Sequence, residues 1–233
     1  MKHFRVILPA LLLFCASAMP FAAGEESGES PEGKSEKNWT ELFNGTDLTG
    51  WTTPDFGGSA KVTVEETEDG NVIRLKMGMM ITGIVYENEF PTTNFELELE
   101  ARRTGGHDFF ATTTFPVGEG FCSFVTGGWG GSIFGLSSLN GYDASENSSS
   151  KCFVSKNNTW YKIRVCVTEK RIRCWVDDQE IVDWTRGKTR FTTRFEVQKS
   201  QPMGITNFCC DSEIRSIRFR ELDEAEREAG EEN

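Results

Sequence analysis

The sequence predicts an all-β domain of the β-sandwich or jelly-roll type, and three observations support this prediction. Runs rich in β-branched and aromatic residues recur along the chain, turn residues separate them about every 8–12 positions, and no helical apolar period of useful length interrupts them. The 233 residues are enough for one such domain with a sizeable core. A single domain is therefore expected.

The strand at residues 94–102 shows the pattern most clearly. Phe95, Leu97 and Leu99 alternate with charged residues, as in a strand that is buried on one face. The glycine-rich break at 104–106 predicts a turn, so that 94–102 and 108–115 would be neighbouring antiparallel strands. The other predicted strands cover residues 61–65, 71–76, 81–87, 121–125, 160–168, 171–177, 180–184, 190–197, 203–208 and 213–220.

The two ends of the chain differ from this pattern. Residues 1–23 combine Lys2 and Arg5 with an apolar run and small residues, as in an export signal. Residues 24–38 contain almost no apolar side chain and predict a disordered leader. We expect the jelly-roll domain at 39–220 and an acidic C-terminal tail at 221–233, for which a frayed helix is the alternative.

Charge and hydropathy limit the classes of partner. The net charge of −11 argues against nucleic acid, because a phosphate backbone is bound through clustered Lys and Arg. No second apolar run approaches the roughly 18 residues that a membrane-spanning helix needs. We therefore expect no integral membrane segment once the signal is removed.

The cysteines suggest an oxidising compartment. Seven cysteines, less Cys15 in the predicted signal, leave six, and an even number in an exported chain favours disulfides. The six are Cys122, Cys152, Cys166, Cys174, Cys209 and Cys210, and the sequence does not fix their connectivity. If residues 169–170 form the turn, Cys166 and Cys174 lie on opposite faces of their hairpin. Zinc thiolate is disfavoured, because no two cysteines have the CxxC spacing.

Three stretches of the chain resemble one known family. Residues 42–51, LFNGTDLTGW, look like the opening signature of the 3-keto-disaccharide hydrolase-like domain family. Residues 94–102 are similar to the central strand of that family, and 160–182 to its late hairpins. The resemblance covers about residues 39–220. It implies a concanavalin- or LamG-like jelly roll, export from a bacterial cell to the periplasm or the outside, and a role in carbohydrate breakdown. Where the family usually has an Asn-Ser-Gly turn after its central strand, this chain has residues 106–108.

Two groups of residues are candidates for catalysis. His107 could act as a general base with Asp108 to orient it, since imidazole can take up a proton near neutral pH. The alternatives are that both residues are ligands of a hard metal, or that they form a surface turn. Asp143 and Glu146 could serve as an acid and base pair or bind a cation. The alternative for these two is a capped turn with a solvated glutamate.

The candidate ligand-binding residues surround the glycine-rich middle of the chain. Trp129 offers a flat apolar face between glycines, although a core position is the competing interpretation. The substrate-binding set consists of Trp129, Asp108, Asn140 and Arg102. No metal site is assigned, and a divalent cation is one candidate cofactor. The stripe of Glu96, Glu98 and Glu100 is expected to form cross-strand ion pairs and not a ligand site; the partners would be Lys162, Arg164, Arg218 and Arg220.

The function that follows is that of an exported carbohydrate-active protein. By resemblance, it is a hydrolase or lyase that cleaves 3-keto-glycosides by removing a proton next to the ketone. The alternatives are a non-catalytic, lectin-like carbohydrate-binding module and a structural interaction module. The expected partner in each of the first two cases is an oligosaccharide or glycoside.

Overall fold

The computed structural model describes Met1 and residues 38–229. Apart from Met1 and Asn38, the predicted signal peptide and leader lie outside the described residues, as do the last four residues of the predicted tail. The sandwich belongs to one compact unit, Lys37–Asn233. Across the described part of the chain, no helix has the length and apolar character needed to cross a membrane.

Between residues 38 and 229, fifteen strands form two antiparallel sheets, which confirms the predicted jelly-roll sandwich. The strands are β1 Thr40–Glu41, β2 Trp51–Thr52, β3 Val62–Thr67, β4 Gly70–Leu75, β5 Thr82–Tyr86, β6 Phe95–Gly106, β7 Thr112–Val117, β8 Gly120–Gly127, β9 Ile133–Ser137, β10 Lys151–Cys152, β11 Tyr161–Val167, β12 Arg171–Val176, β13 Gln179–Thr185, β14 Gly204–Asn207 and β15 Cys210–Glu221. The eight-stranded sheet runs β13-β12-β11-β6-β15-β4-β3, with β1 paired to β15. The seven-stranded sheet runs β10-β9-β8-β7-β14-β5-β2.

The core lies between the sheets because each sheet turns one apolar face inward. From β6 the fully buried Leu97 and Leu99 point inward, as the alternation predicts. The facing sheet contributes Phe124 and Leu136, which lie opposite each other in register. The other faces of both sheets are therefore available for charge or for a ligand.

One topological prediction is wrong. β6 does not turn at residues 104–106 but continues to Gly106, whose partner in register is Cys210. The close approach needs glycine, because Gly106 has φ +82 and a Cβ there would lie 2.3 Å from the Cys209 carbonyl oxygen. The chain then crosses to the other sheet, where β7 pairs with β8 and β14. β6 and β7 are therefore in different sheets and not neighbouring strands.

Two further differences concern short elements. The predicted strand at 190–197 is an isolated bridge at Phe191 followed by a 3-10 helix, Phe195–Ser200. The short strands β1, β2, β9 and β10 were not predicted from the sequence. A short helix, Glu224–Ala229, lies within the predicted acidic tail. Its Glu226 accepts hydrogen bonds from Arg220 of β15.

The outer face of the eight-stranded sheet carries the predicted ion pairs. Glu98 pairs with Arg218 at 2.5 Å and with Lys162 at 3.8 Å, and Glu96 pairs with Arg164 at 3.2 Å. Arg220 also pairs with Glu96, and Arg215 pairs with Glu100. Each of three tryptophans on this face lies close to two arginines; the tryptophans are Trp39, Trp160 and Trp175. The prediction that the glutamates of this stripe form cross-strand ion pairs is confirmed.

The six cysteines of the described residues are free thiols, so the expected disulfides are not formed. Cys174 faces Val165 in the core and Cys166 faces Arg173 on the outer face, as the turn at 169–170 predicted, and the two thiols cannot meet. Burial raises the pKa of Cys122 to about 12 and that of Cys210 to about 12. These buried thiols are therefore poor nucleophiles near neutral pH.

Candidate functional site

A pocket of about 250 Å³ opens on the outer face of the seven-stranded sheet. Residues opposite each other in neighbouring strands share a face, and Ser123 lies opposite both Thr114 and Ser137. Their neighbours along the strands, such as Phe124, point into the core. The floor of the pocket is therefore made of short polar side chains, with Thr112, Ser123 and Ser137 among its lining residues.

Most hydroxyl groups of this floor already have partners. Ser123 Oγ and Thr114 Oγ1 are 2.8 Å apart, and Ser200 Oγ donates to the same Thr114 oxygen at 2.7 Å. Thr112 differs, because it is 2% exposed and its hydroxyl has no hydrogen-bond partner among the described residues. A buried unpaired hydroxyl costs roughly 1–3 kcal/mol, so Thr112 is a place where a polar ligand atom would be favourable.

Asp108 and Trp129 meet at one end of the pocket. Asp108 lies on the crossing between β6 and β7, and its Oδ2 accepts the Gly130 backbone N–H at 2.9 Å. Its Oδ1 accepts the N–H of Phe109 at 2.8 Å. Gly130 belongs to the tight turn Gly128–Gly131, in which Trp129 has the left-handed φ of 50 and remains 42% exposed. The turn therefore presents the indole to solvent while fixing the carboxylate beside it.

Arg103 contacts this end of the pocket from the core side. Its side chain is buried and donates to the backbone oxygens of Asp108 and Ser155, both at 3.0 Å. It also donates to the Asn157 side chain at 2.5 Å. A Cβ at Gly131 would lie 3.4 Å from the same guanidinium. Arg103 therefore holds the Asp108 crossing and the Trp129 turn against each other.

Arg194 lines the pocket beside Trp129. It pairs with Asp143, and with Glu196 at 2.9 Å, and its guanidinium lies 6.0 Å from the Trp129 ring centroid. The hydrogen bond from Arg194 lowers the pKa of Glu196. Asp143 in turn accepts the hydroxyls of Ser137 and Ser138 at 3.1 and 2.8 Å. Arg194 is thus fixed between two carboxylates with its side chain at the pocket.

The structure brings together some of the predicted site residues. Asp108 and Trp129 line the pocket, and Asp143 contacts it through Arg194 and Ser137. His107 is exposed and adjacent to Asp108 but is not among the lining residues. Direct pairing of His107 with Asp108 is not seen among the described hydrogen bonds, since both Asp108 oxygens accept backbone N–H groups.

Three predicted residues make their contacts elsewhere. Glu146 is exposed and accepts only a 3.3 Å bond from the Asp143 N–H among the described contacts, so the two do not form a convergent acid and base pair. Asn140 accepts the Arg190 N–H at 2.9 Å. Arg102 lies on the eight-stranded sheet and pairs with Glu213 at 2.7 Å and Asp69 at 2.8 Å. Arg102 is therefore separated from the pocket by the core.

Several lining residues were not predicted from the sequence. Arg194 and Glu196 fall in a stretch predicted as an ordinary strand, and Thr112 in a strand whose partner was misassigned. Phe109 and Phe208, whose rings are 5.7 Å apart, come from chain segments almost a hundred residues apart. Within residues 38–229, no three His, Cys, Asp or Glu side chains gather as metal ligands would.

Comparison with known proteins connects this architecture with carbohydrate chemistry. A family model described as a 3-keto-alpha-glucoside-1,2-lyase-like domain matches residues 38–222. A search of curated proteins found no match.

Solved structures with similar folds include carbohydrate-active proteins. A Crh5 transglycosylase in complex with NAG has a TM-score of 0.51 and 11% identity, covering 82% of this chain and 86% of that chain. A structure from work on endo-acting O-glycanases of the human gut microbiota that initiate mucin breakdown has a TM-score of 0.50 and 13% identity, over 76% and 94% of the two chains. Domain 4 of AbnA, a GH43 extracellular arabinanase from Geobacillus stearothermophilus, has a TM-score of 0.49 and 12% identity, over 78% and 88%. At these identities the likeness concerns the fold.

Proposed function

Because the chain belongs to the 3-keto-alpha-glucoside-1,2-lyase-like domain family, we propose that its pocket binds a 3-keto-glycoside and cleaves the bond to the leaving group. The observation that carries this proposal is the convergence of Asp108, Trp129 and Arg194 on one pocket. A carboxylate can move a proton, an indole can stack on the apolar face of a sugar, and a guanidinium can stabilise a developing negative charge.

The chemistry uses the acidity that the ketone gives to its neighbouring C–H. A base removes the proton from C2, and the electron pair forms an enolate with the C3 oxygen. The enolate then re-forms the ketone as the C1–O bond breaks, and the departing oxygen takes up a proton. Addition of water across the resulting C1–C2 double bond gives the free 3-keto sugar. The overall reaction is hydrolysis and consumes one water molecule.

We assign the base to Asp108 and the stabilisation of the enolate oxygen to Arg194. Asp108 lines the pocket, whereas Asp143 is held by Arg194 and two serine hydroxyls and is better suited to position that arginine. His107 is the second candidate for the base, since it is next to Asp108 in the chain and exposed. The unpaired Thr112 hydroxyl supports the proposal, because a sugar hydroxyl could satisfy it.

The location of the protein in the cell and its domain organisation also belong to the proposal. Lys2, Arg5 and the apolar run that follows support export, and we propose that the mature protein acts in the periplasm or outside a bacterial cell. The domain would follow the predicted leader and end near the acidic tail.

Non-catalytic carbohydrate binding is the second candidate function. It is favoured by the fact that both Asp108 oxygens accept backbone N–H groups and that Arg194 already pairs with two carboxylates. A binding module would use Trp129 and the hydroxyl floor without chemistry at C2.

Sugar release from 3-keto-glucosides tests the proposal. The purified domain is incubated with them, with and without an added divalent cation, beside Asp108→Asn and His107→Ala. We expect release by the wild-type protein, a loss of about 100-fold or more in Asp108→Asn, and little change in His107→Ala. Binding without release would favour the non-catalytic module. Loss of release in His107→Ala alone would move the base to His107.

A further inference from the structure

We infer that the pocket has a polar half for the sugar and an apolar half, and that the apolar half takes a leaving group without hydroxyls, such as an aromatic ring. This inference rests on the proposed function, because a leaving group is defined by the reaction. The inference concerns the leaving group that is attached to C1 of the 3-keto sugar, and so goes beyond the chemistry at C2. It implies that a second sugar is a less favourable leaving group than an apolar one.

The polar half lies over β8 and β9. Ser123 and Ser137 of these strands carry the hydroxyls of the floor, and Ser137 also bonds to Asp143. The turn that presents Trp129 follows β8 directly, and Asp108 is bonded to it. These groups already have partners in the protein, but each oxygen has a second lone pair that can accept a hydrogen bond from a sugar hydroxyl.

The apolar half lies over β14 and β5, at the other side of β7 in the sheet. Phe208 follows β14 and stacks on Phe109, while Met80 and Ile81 precede β5. The 3-10 helix Phe195–Ser200 contacts both β14 and β5 and supplies Val197. Glu196 of the same helix also lines the pocket and is paired with Arg194 at 2.9 Å. The other side chains that line this half are hydrocarbon, aromatic or thioether groups.

The apolar lining of this half reaches the surface at Met80, whose side chain lines the pocket and is 41% exposed. A partly exposed apolar group at a pocket is available to an apolar ligand. Apolar groups would leave the hydroxyls of a second sugar without partners, at roughly 1–3 kcal/mol for each one buried. An aromatic ring would instead gain from burial.

Two alkyl glycosides with nearly equal leaving-group basicity isolate this effect. Methyl and benzyl 3-keto-glucosides release methanol and benzyl alcohol, whose acidities are similar, so that their kcat/KM values compare binding of the leaving group and not its departure. A 3-keto disaccharide gives the polar comparison. We expect kcat/KM for the benzyl compound to exceed both others by about 10- to 100-fold, which is the effect of burying one ring.

Variants test whether the apolar half causes the difference. Met80→Ser changes a lining residue that is 41% exposed, so the fold should tolerate it. We expect it to lower the benzyl-to-methyl ratio by roughly 3- to 10-fold, which is the loss expected for one apolar contact. Val154→Ser is the control, because Val154 is 80% exposed and is not among the lining residues. It should leave the ratio unchanged.

The possible failures can be distinguished. Equal kcat/KM for benzyl and methyl compounds, or preference for the disaccharide, overturns the inference and leaves the proposed function standing. If none of the three is cleaved, the proposed function fails. Calorimetric binding of the same pair then decides the inference: tighter benzyl binding that Met80→Ser weakens supports an apolar subsite, and equal affinity overturns it.

Discussion

The Gly130 N–H donates to Asp108 Oδ2 at 2.9 Å, which joins the crossing between the two sheets to the turn that presents Trp129. Because Arg103 donates to the Asp108 carbonyl oxygen at 3.0 Å, the same crossing is also fixed from the core side. A carboxylate and an aromatic ring are thus held at one pocket by backbone geometry. Substitutions of residues at this pocket should therefore affect ligand binding more than folding.

Thr112→Val should separate these two effects. The Thr112 hydroxyl is buried without a partner, so its removal should leave the free energy of unfolding unchanged or raise it by about 1 kcal/mol. If a ligand hydroxyl pairs with it, affinity should fall by roughly 5- to 10-fold. Urea denaturation and calorimetric titration with a 3-keto-glucoside measure the two quantities. A stability loss above about 2 kcal/mol with unchanged affinity would make Thr112 a structural residue.

Trp129→Gly tests the aromatic contact without straining the turn. Trp129 has φ 50, a conformation that glycine adopts easily and alanine does not. We expect both Trp129→Gly and Trp129→Ala to weaken ligand binding by about 10-fold. The alanine variant should also be less stable than the glycine variant by about 1 kcal/mol. If affinity is retained in both, the indole does not contact the sugar.

The Arg194–Glu196 pair predicts a pH dependence at the pocket. Arg194 lowers the pKa of Glu196 below its ordinary value of 4.5, so the pair is intact above that pH and is lost as the pH falls through the lowered pKa. Any stability from this pair is therefore lost only in acid. In Arg194→Gln the pKa of Glu196 should rise towards 4.5, which a carbon-13 NMR titration of the Glu196 carboxyl can follow. An unchanged pKa would show that the pair does not form in solution.

Glu213→Gln should destabilise the protein far more than Glu65→Gln, which changes an exposed glutamate paired with the same arginine. The side chain of Glu213 is 2% exposed and pairs with Arg74 at 2.6 Å and Arg102 at 2.7 Å. Removing its charge leaves two arginines without their buried partner, at a cost of roughly 3 kcal/mol. Glu65 also pairs with Arg74, at 2.8 Å, but its side chain is 43% exposed. Glu65→Gln should therefore cost less than about 1 kcal/mol.

Glu213→Gln also tests whether Arg102 contributes to substrate binding. Since Arg102 lies on the eight-stranded sheet with Glu213, Glu213→Gln should leave kcat and KM unchanged at a temperature where the variant is folded. A raised KM would show that Arg102 contributes to substrate binding, as the sequence predicted. Steady-state kinetics with the benzyl compound and urea denaturation on the same preparation make the comparison.

Local patterns in the sequence predicted most of the fold. The alternation from Phe95 to Ala101 gave the buried face of β6, and the turn at 169–170 fixed the register that separates Cys166 from Cys174. The glutamate stripe was correctly assigned to ion pairs because charges on neighbouring strands share a face. These features depend on residues that are close in sequence, or on the rule that paired residues of neighbouring strands share a face.

Features that depend on long-range contacts could not be predicted in this way. Gly105 and Gly106 have the composition of a turn, yet they extend β6 because β15 supplies backbone partners about a hundred residues later. Arg194 and Glu196 reach the pocket through a 3-10 helix in a stretch with a strand-like composition. Asp108 and Trp129 were recognised individually, but their bond through Gly130 follows from the crossing between sheets.

Proton exchange at C2 tests the central claim most directly, because it reports removal of the proton independently of leaving-group departure. A 3-keto-1,5-anhydroglucitol has no leaving group at C1, and its C2 proton signal in D₂O can be followed by NMR. We expect the wild-type protein to accelerate loss of this signal about 100- to 10,000-fold over buffer, and Asp108→Asn to abolish most of that acceleration. Exchange at the buffer rate with the wild-type protein, or at the wild-type rate with Asp108→Asn, would contradict the account.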